Sequence, residues 1–365
     1  MPKTTPYLLL IALPLLCALA MLAHACGGQL NVGKYRSRAS AAAGGEVTLE
    51  SFSLKALNSF TLNASPSPAW APNSRQFAYA DANMSRLMLF NVDNSGHQTL
   101  FEANAPQNNS IDARYNVASP AFINDFQVAT GPFWFATLAE SDPWTFSLVH
   151  DTSNNVAPLP LAPGGNPRPR PGHPQILLEA ANGLRLVSTS GTEERTYPNL
   201  CRAKWHPEGE RFAAIRFNNY CEEGGALVLA EINGDTTFVD SNVAQFDWHP
   251  SGAGIAVLRA PANVTFFSPN YHWGSIHYIE LGENKSRLIA DRARSPVFLP
   301  RANLLLFDTP NGLGVSDLVT QRVLREPKLT NPTPSPNGRY LVGESITWGG
   351  YAYYPTIEVT VYEVN

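Results

Sequence analysis

The sequence predicts an all-β protein: a seven-bladed β-propeller of four-stranded antiparallel blades spanning residues 46–365. Three observations lead there. A short phrase with a bulky or proline centre returns seven times, its central residue at 70, 122, 169, 205, 248, 298 and 334, in steps of 52, 47, 36, 43, 50 and 36 residues. A recurrence of roughly 40–50 residues, with room for four strands each time, is how propeller blades are written. Composition agrees: 15% of the chain is charged, with 30 prolines and 26 glycines, a balance suited to short strands and tight turns. Beyond the first 25 residues no stretch keeps a helical period. Six or eight blades are the alternative counts, because the second and third copies are degenerate.

The clear copies are Pro68-Ala69-Trp70-Ala71-Pro72, Ala203-Lys204-Trp205-His206-Pro207, Phe246-Asp247-Trp248-His249-Pro250 and Pro296-Val297-Phe298-Leu299-Pro300. The weaker copies lie at Pro120-Ala121-Phe122, Pro167 to Pro171 and Pro332 to Pro336. The aromatic residue is a wedge between neighbouring blades, a job for a side chain that buries about 150–250 Å². The proline after it ends the inner strand, since it cannot donate to a ladder. Around the fourth copy the whole blade is legible. Ala203 to Trp205 is the inner strand, Arg211 to Phe217 the second, Ala226 to Ile232 the third and Thr236 to Ser241 the outer one. Asn233-Gly234-Asp235 is a hairpin turn of the kind that needs positive φ.

The last copy supplies strands at Pro332 to Pro334, Arg339 to Gly343 and Thr356 to Val364, and lacks a fourth. The spare strand lies upstream, at Val47–Leu54. It is expected to pair beside Thr356–Val364 and latch the ring, which removes exposed edges. Its alternation changes phase between Leu49 and Phe52, a sign of a bulge.

The first residues read as an export signal. Lys3 starts it, Tyr7 through Ala23 is apolar, and Ala23-His24-Ala25 is a small-x-small cleavage pattern, so residues 1–25 are the signal peptide. Cys26 follows directly, ahead of Gly27 and Gly28. This resembles the lipobox of bacterial lipoproteins, although Ala23 stands where leucine is usual. Lipidation at Cys26 and simple secretion both stay open. Residues 26–45 are rich in Gly, Ala, Ser and Arg and read as a flexible tether. Cys201 and Cys221 are the pair left for the folded body. In an oxidising compartment they are expected to form a disulfide, since antiparallel pairing brings the start of one strand near the end of the next.

The phrase Trp-x-Pro-x-Gly ahead of an apolar strand resembles the TolB-type WD40-like propeller repeat, which reads Pro-x-Trp-Ser-Pro-Asp-Gly. The resemblance covers about residues 65–365. Ala71, His206, His249 and Ser335 hold the serine position. It implies a TolB-like propeller without the α/β domain that precedes the propeller in TolB, and binding to the TolB partner Pal does not carry over.

The formal charge of −4 offers no basic field for nucleic acid. Enzyme signatures are missing from the sequence. The nearest approach to Gly-x-Ser-x-Gly is Gly343-Glu344-Ser345-Ile346-Thr347, which lacks the final glycine. There is no His-Glu-x-x-His, phosphate loop or dinucleotide fingerprint. His206 and His249 recur at equivalent turn positions, which repeat equivalence explains without a metal. No cofactor is implied. The candidate binding residues are aromatics on three long second-to-third-strand loops: Trp134 and Trp144, then Phe267, Tyr271, His272 and Trp273, then Trp348 and Tyr353. Such rings anchor partners or sugars; the plain alternative is that they pack on one another. The reading is a monomeric, non-enzymatic module, exported to the periplasm or cell surface, that binds a protein or glycan of the bacterial envelope. It touches membrane only through a lipid anchor. A propeller-type hydrolase or lyase with a site at the channel mouth is the alternative, and a purely structural envelope protein is the third reading.

Overall fold

A computed structural model describes residues 47–62, 68–81, 86–102, 118–131, 146–152, 159–218, 221, 224–261, 273–283, 285–325, 329–347 and 356–365. The signal segment, the tether and Cys26 lie outside the described residues. So do Trp134, Trp144, Phe267, Tyr271, His272, Trp348 and Tyr353.

Among the described residues every regular element is a strand. Each copy of the phrase opens an antiparallel meander. The first copy gives Ala69–Trp70, Gln76–Ala80, Arg86–Asn91 and Gly96–Glu102. The second gives Ala118–Asn124, Gln127–Gly131, Phe146–Asp151 and Leu159–Pro163. The third gives Gly165–Pro169, Gln175–Ala180, Gly183–Ser188 and Glu193–Pro198. The next three copies share one ten-stranded ladder from Leu200–Trp205 to Gln321–Leu324. Two of its strands, Thr236–Trp248 and Lys285–Leu299, are long enough to end one meander and begin the next. The outer strand expected to stop at Ser241 therefore runs on. Asn242, at φ 58°, bends it rather than ending it, and asparagine tolerates that left-handed conformation.

The opening strands of successive meanders lie side by side in chain order, from Ala69–Trp70 through Gly165–Pro169 and Leu200–Trp205 to Thr330–Pro334. A recurring bond stitches them. The Trp205 indole Nε1 donates to the carbonyl of Arg168 at 2.8 Å, and Trp248 Nε1 to that of Lys204 at 2.9 Å. Trp70 Nε1 donates to Thr333 O at 2.9 Å, joining the first meander to the last. The tryptophans are thus wedges whose one polar atom is satisfied by the neighbouring backbone, as burial requires. Four of these turns hold a glycine with positive φ, among them Gly209 at 75° and Gly338 at 68°, where a Cβ would meet the carbonyl of Pro171 or Pro300; Ser74 at 60° and Arg301 at 65° take that conformation after Trp70 and Phe298.

The last sheet corrects one expectation. Thr356–Val364 is flanked by an N-terminal strand, but that strand is Leu54–Leu62, not Val47–Leu54. Residues 48–52 form a turn instead: Phe52 N donates to Thr48 O at 2.9 Å, and Thr48 N to Ser51 Oγ at 3.0 Å. The turn puts Leu49 and Phe52 on one side, both buried in a core with Leu304, Leu313, Leu341 and Tyr362. Arg322 donates to the carbonyls of Glu50 and Phe52 and holds the turn down. Strand pairing begins with Ser53 and Asn365, which exchange backbone bonds of 2.9 and 3.1 Å. The register shift lies between Ala56 and Asn58, not at Leu49–Phe52.

The disulfide is present. Cys201 and Cys221 are bonded with Cα atoms 6.2 Å apart. Cys201 faces Ile215 in the register, so Cys221 follows the end of the partner strand as the spacing suggested.

Candidate binding face

Three residues before the centre of each phrase stands a polar residue. Asn166, Arg202, Gln245, Ser295 and Asn331 are the described cases, all half-buried at the free edge of their meanders. Four of them have positive φ: 46° at Asn166, 51° at Arg202, 54° at Ser295 and 51° at Asn331. Each sits inside a register shift, between Gly165 and Arg168, Cys201 and Lys204, Arg294 and Val297, and Thr330 and Thr333. A bulge of this kind turns a strand and re-aims its side chains. For Arg202 and Ser295 the conformation costs on the order of 1–3 kcal/mol, and the hydrogen bonds made there oppose it.

Those bonds form a polar collar. Glu179 accepts from Asn166 Nδ2 at 2.6 Å and from Arg202 N at 2.7 Å. Arg202 Nη1 donates to Ala244 O at 2.6 Å. Gln245 Oε1 accepts from Ser295 N at 3.0 Å. Asn331 N donates to Asp308 at 3.1 and 3.3 Å, and Asn331 Nδ2 to Glu344 Oε2 at 3.2 Å. The carboxylates are repeat equivalents: Glu179, Asp308 and Glu344 lie opposite Gly165, Arg294 and Thr330. Asp308 is fully buried and Glu344 nearly so. Burial pushes the Asp308 carboxyl up to about 6, against the opposing pull of Arg294 and of hydrogen bonds from Asn331 and Ser295.

Trp273 is the one expected aromatic among the described residues, and it joins this collar. The guanidinium of Arg294 lies over its ring at 4.5 Å, and Arg294 Nε donates to Asp308 at 3.3 Å. A buried acid thus fixes a cation that fixes a half-buried indole, an arrangement in which the cation–π contact is partly desolvated. The sequence-based reading settled on the aromatic loops and missed the collar. The signal was available: a polar residue three before every phrase centre, Ser67 and Ser119 included.

The described residues also hold a serine beside a histidine. Ser275 Oγ is 3.1 Å from His277 Nε2, and Arg259 Nη1 is 3.2 Å from His277 Nδ1. Guanidinium only donates, so Nδ1 accepts and Nε2 carries the proton. Ser275 is then an acceptor, the reverse of an activated nucleophile. Burial, then the charge of Arg259, lowers the His277 pKa, which keeps the ring neutral and the direction fixed. Arg259 is held in turn by Asp240 at 2.8 Å. His206 and His249 pack edge-on against Trp248 and Phe298, both at 5.0 Å, and serve as spacers under the next wedge.

No protein-family model matches the chain, and no curated protein matches it. Solved structures do. A chain of a mitotic checkpoint complex is 12% identical with a TM-score of 0.59, covering 86% of this chain and 92% of that one. The Dos1 propeller is 13% identical with a TM-score of 0.51, covering 85% and 95%. TolB from Acinetobacter baumannii is 13% identical at a TM-score of 0.42, covering 79% and 78%. The likeness to the first two is one of fold: the chain is a β-propeller.

Proposed function

We propose that the protein is a seven-bladed propeller closed by the Leu54–Leu62 strand, and that it works as a non-enzymatic binding module of the bacterial cell envelope. Its ligand is a protein or glycan, taken on the face where the aromatic loops arise. The observation that carries this reading is Trp273, pinned through Arg294 to the buried Asp308. An indole fixed on a rigid mount loses little freedom when it meets a partner, and such rings supply most of the energy at binding surfaces. The Cys201–Cys221 bridge favours export, since disulfides persist in oxidising compartments. In this reading residues 1–25 are removed, residues 26–45 are a tether, and Cys26 carries the lipid when there is one.

The test is affinity capture from an envelope extract and on a glycan array, with the wild type and a Trp273→Ala, Trp348→Ala double variant. A ligand retained by the wild type and lost by the variant is the expected result. Equal recovery by both removes the aromatic face from consideration. Mass spectrometry of the mature N-terminus decides the anchor: an unmodified Cys26 excludes lipidation.

A further inference from the structure

Among the described residues two buried side-chain nitrogens lack any hydrogen-bond partner, Nε of Arg322 and Nε of Arg168. Arg322 has work to do elsewhere, since its Nη atoms hold the N-terminal turn. Arg168 has no such role. Its backbone carbonyl takes the Trp205 indole, while among the described residues its buried Nε finds no acceptor. A buried N–H left this way on an always-charged group is costly and unusual to keep.

Its location says what it is for. Arg168 stands one residue before the phrase centre, on the free-edge strand Gly165–Pro169. The same position holds Lys204 in the next meander and Asp247 in the one after. There the residues pair across the gap, Lys204 Nζ to Asp247 Oδ1 at 2.8 Å. Asp247 is spent, because its other oxygen accepts from Phe298 N at 2.8 Å. On the far side of Arg168 the equivalent residues are Ala121 and Ala69, which offer neither charge nor bulk. With Val297 and Thr333 completing it, the row around the inner edge reads small, small, cation, cation, anion, apolar, hydroxyl, and carries one more cation than it neutralises. The planar fork of Arg168 matches a carboxylate in two-point geometry.

We propose that Arg168 is the anchor of a binding site for a small organic carboxylate on the inner edge of the third meander, with Lys204 adding to the field and the alanines leaving the room. The site is separate from the aromatic face, and neither depends on the other.

Calorimetric titration of the folded protein with succinate, and with succinamide as its uncharged counterpart, tests this. The wild type binds succinate saturably and succinamide not at all. Arg168→Gln loses about tenfold or more in affinity, the loss expected for a charge-assisted hydrogen bond. Lys204→Gln loses less. Thermal melts supply a second readout: without ligand, Arg168→Leu is at least as stable as the wild type, because it removes a buried donor that has no acceptor. Four results would overturn the proposal: no saturable succinate binding, equal binding of succinamide or phosphate, unchanged affinity in Arg168→Gln, or a lower melting temperature in Arg168→Leu. An acidic peptide that binds while succinate does not would place the carboxylate on a polymer and overturn it as well.

Discussion

Two seams of the molecule can be set side by side. Between the fourth and fifth copies of the phrase the chain itself crosses, because the strand Thr236–Trp248 belongs to both meanders. Between the last and the first no single strand spans the joint: Leu54–Leu62 belongs to the last sheet, and Ala69–Trp70 opens the first meander. Both seams use the indole-to-carbonyl bond, at Trp248–Lys204 and at Trp70–Thr333. The crossed seam adds the Lys204–Asp247 pair and one edge-on histidine. The uncrossed seam adds rings. Trp70 stacks on Tyr340 at 6.1 Å, and Phe60 of the N-terminal strand meets Tyr79, Phe90 and His97 at 5.3, 5.6 and 4.7 Å. Asn337 N also reaches Ser74 Oγ at 3.0 Å. Where no unbroken strand runs through, aromatic area takes its place, and each ring pair adds about 0.5–1.5 kcal/mol beyond burial.

The sharpest way to break this comparison is to cut both wedges. Trp70→Ala and Trp248→Ala should each cost about 3–5 kcal/mol in chemical denaturation. Trp70→Ala should cost more, since no unbroken strand spans its seam. Equal losses would show that the crossing strand contributes nothing to the joint. Next in size is the bridge. The cysteines are 20 residues apart, and a loop of that size is worth roughly 3 kcal/mol. Cys201→Ser, Cys221→Ser should lower the melting temperature, and the loss should be felt on the crossed side: Trp248→Ala made in that background should exceed its cost alone.

Acidity separates two more regions. Asp308, in the collar, has a pKa raised from 3.8 to about 6 by burial, while His150, buried beside Thr130, has one lowered from 6.5 to about 4 by the same cause. The raised acid contributes stability below pH 3.8 that is lost as pH rises through about 6. The lowered base contributes stability above pH 6.5 that is lost as pH falls through about 4. Between about pH 4 and 6 the slopes oppose each other. Stability across that range should therefore depend on pH less steeply in the wild type than either group alone would make it. It should rise more steeply with pH in Asp308→Asn and less steeply in His150→Asn than in the wild type. The smallest effect belongs to Arg75 and Asp93, an exposed pair 3.7 Å apart at the rim of the first meander. Arg75→Ala should shift stability by less than about 0.5 kcal/mol; a larger shift would mean that the uncrossed seam extends to its surface charges.

Much of this was legible in the sequence, and what was not has a physical reason. The phrase centres fall on the opening strands, because a wedge followed by proline has few other uses. Turns such as Asn233-Gly234-Asp235 and Asn337-Gly338 fall where expected, since positive φ narrows the choice of residue. The partner of Thr356–Val364 was placed too early because apolar residues drew attention to Val47–Leu54. The real strand is an outer edge and reads Leu-Lys-Ala-Leu-Asn-Ser-Phe-Thr-Leu, with most side chains partly or fully exposed. Leu49 and Phe52 are apolar because they plug a core from a turn, three residues apart, which a period-two search mistakes for a strand. The collar went unseen for a related reason. Its residues, Asn166, Arg202, Ser295 and Asn331, share a bulge and a polarity but no single residue type.

The pairing of Leu54 with Val364 also sets a clock. A strand that leaves the ribosome early must wait for a partner made roughly 300 residues later. At about 5–20 residues per second the delay is roughly 15–60 s. Throughout that time the plug side chains Leu49 and Phe52 have no home. The nascent chain is therefore a client for whatever shields greasy segments during synthesis. A slower messenger, not a weaker fold, would be enough to lower its yield.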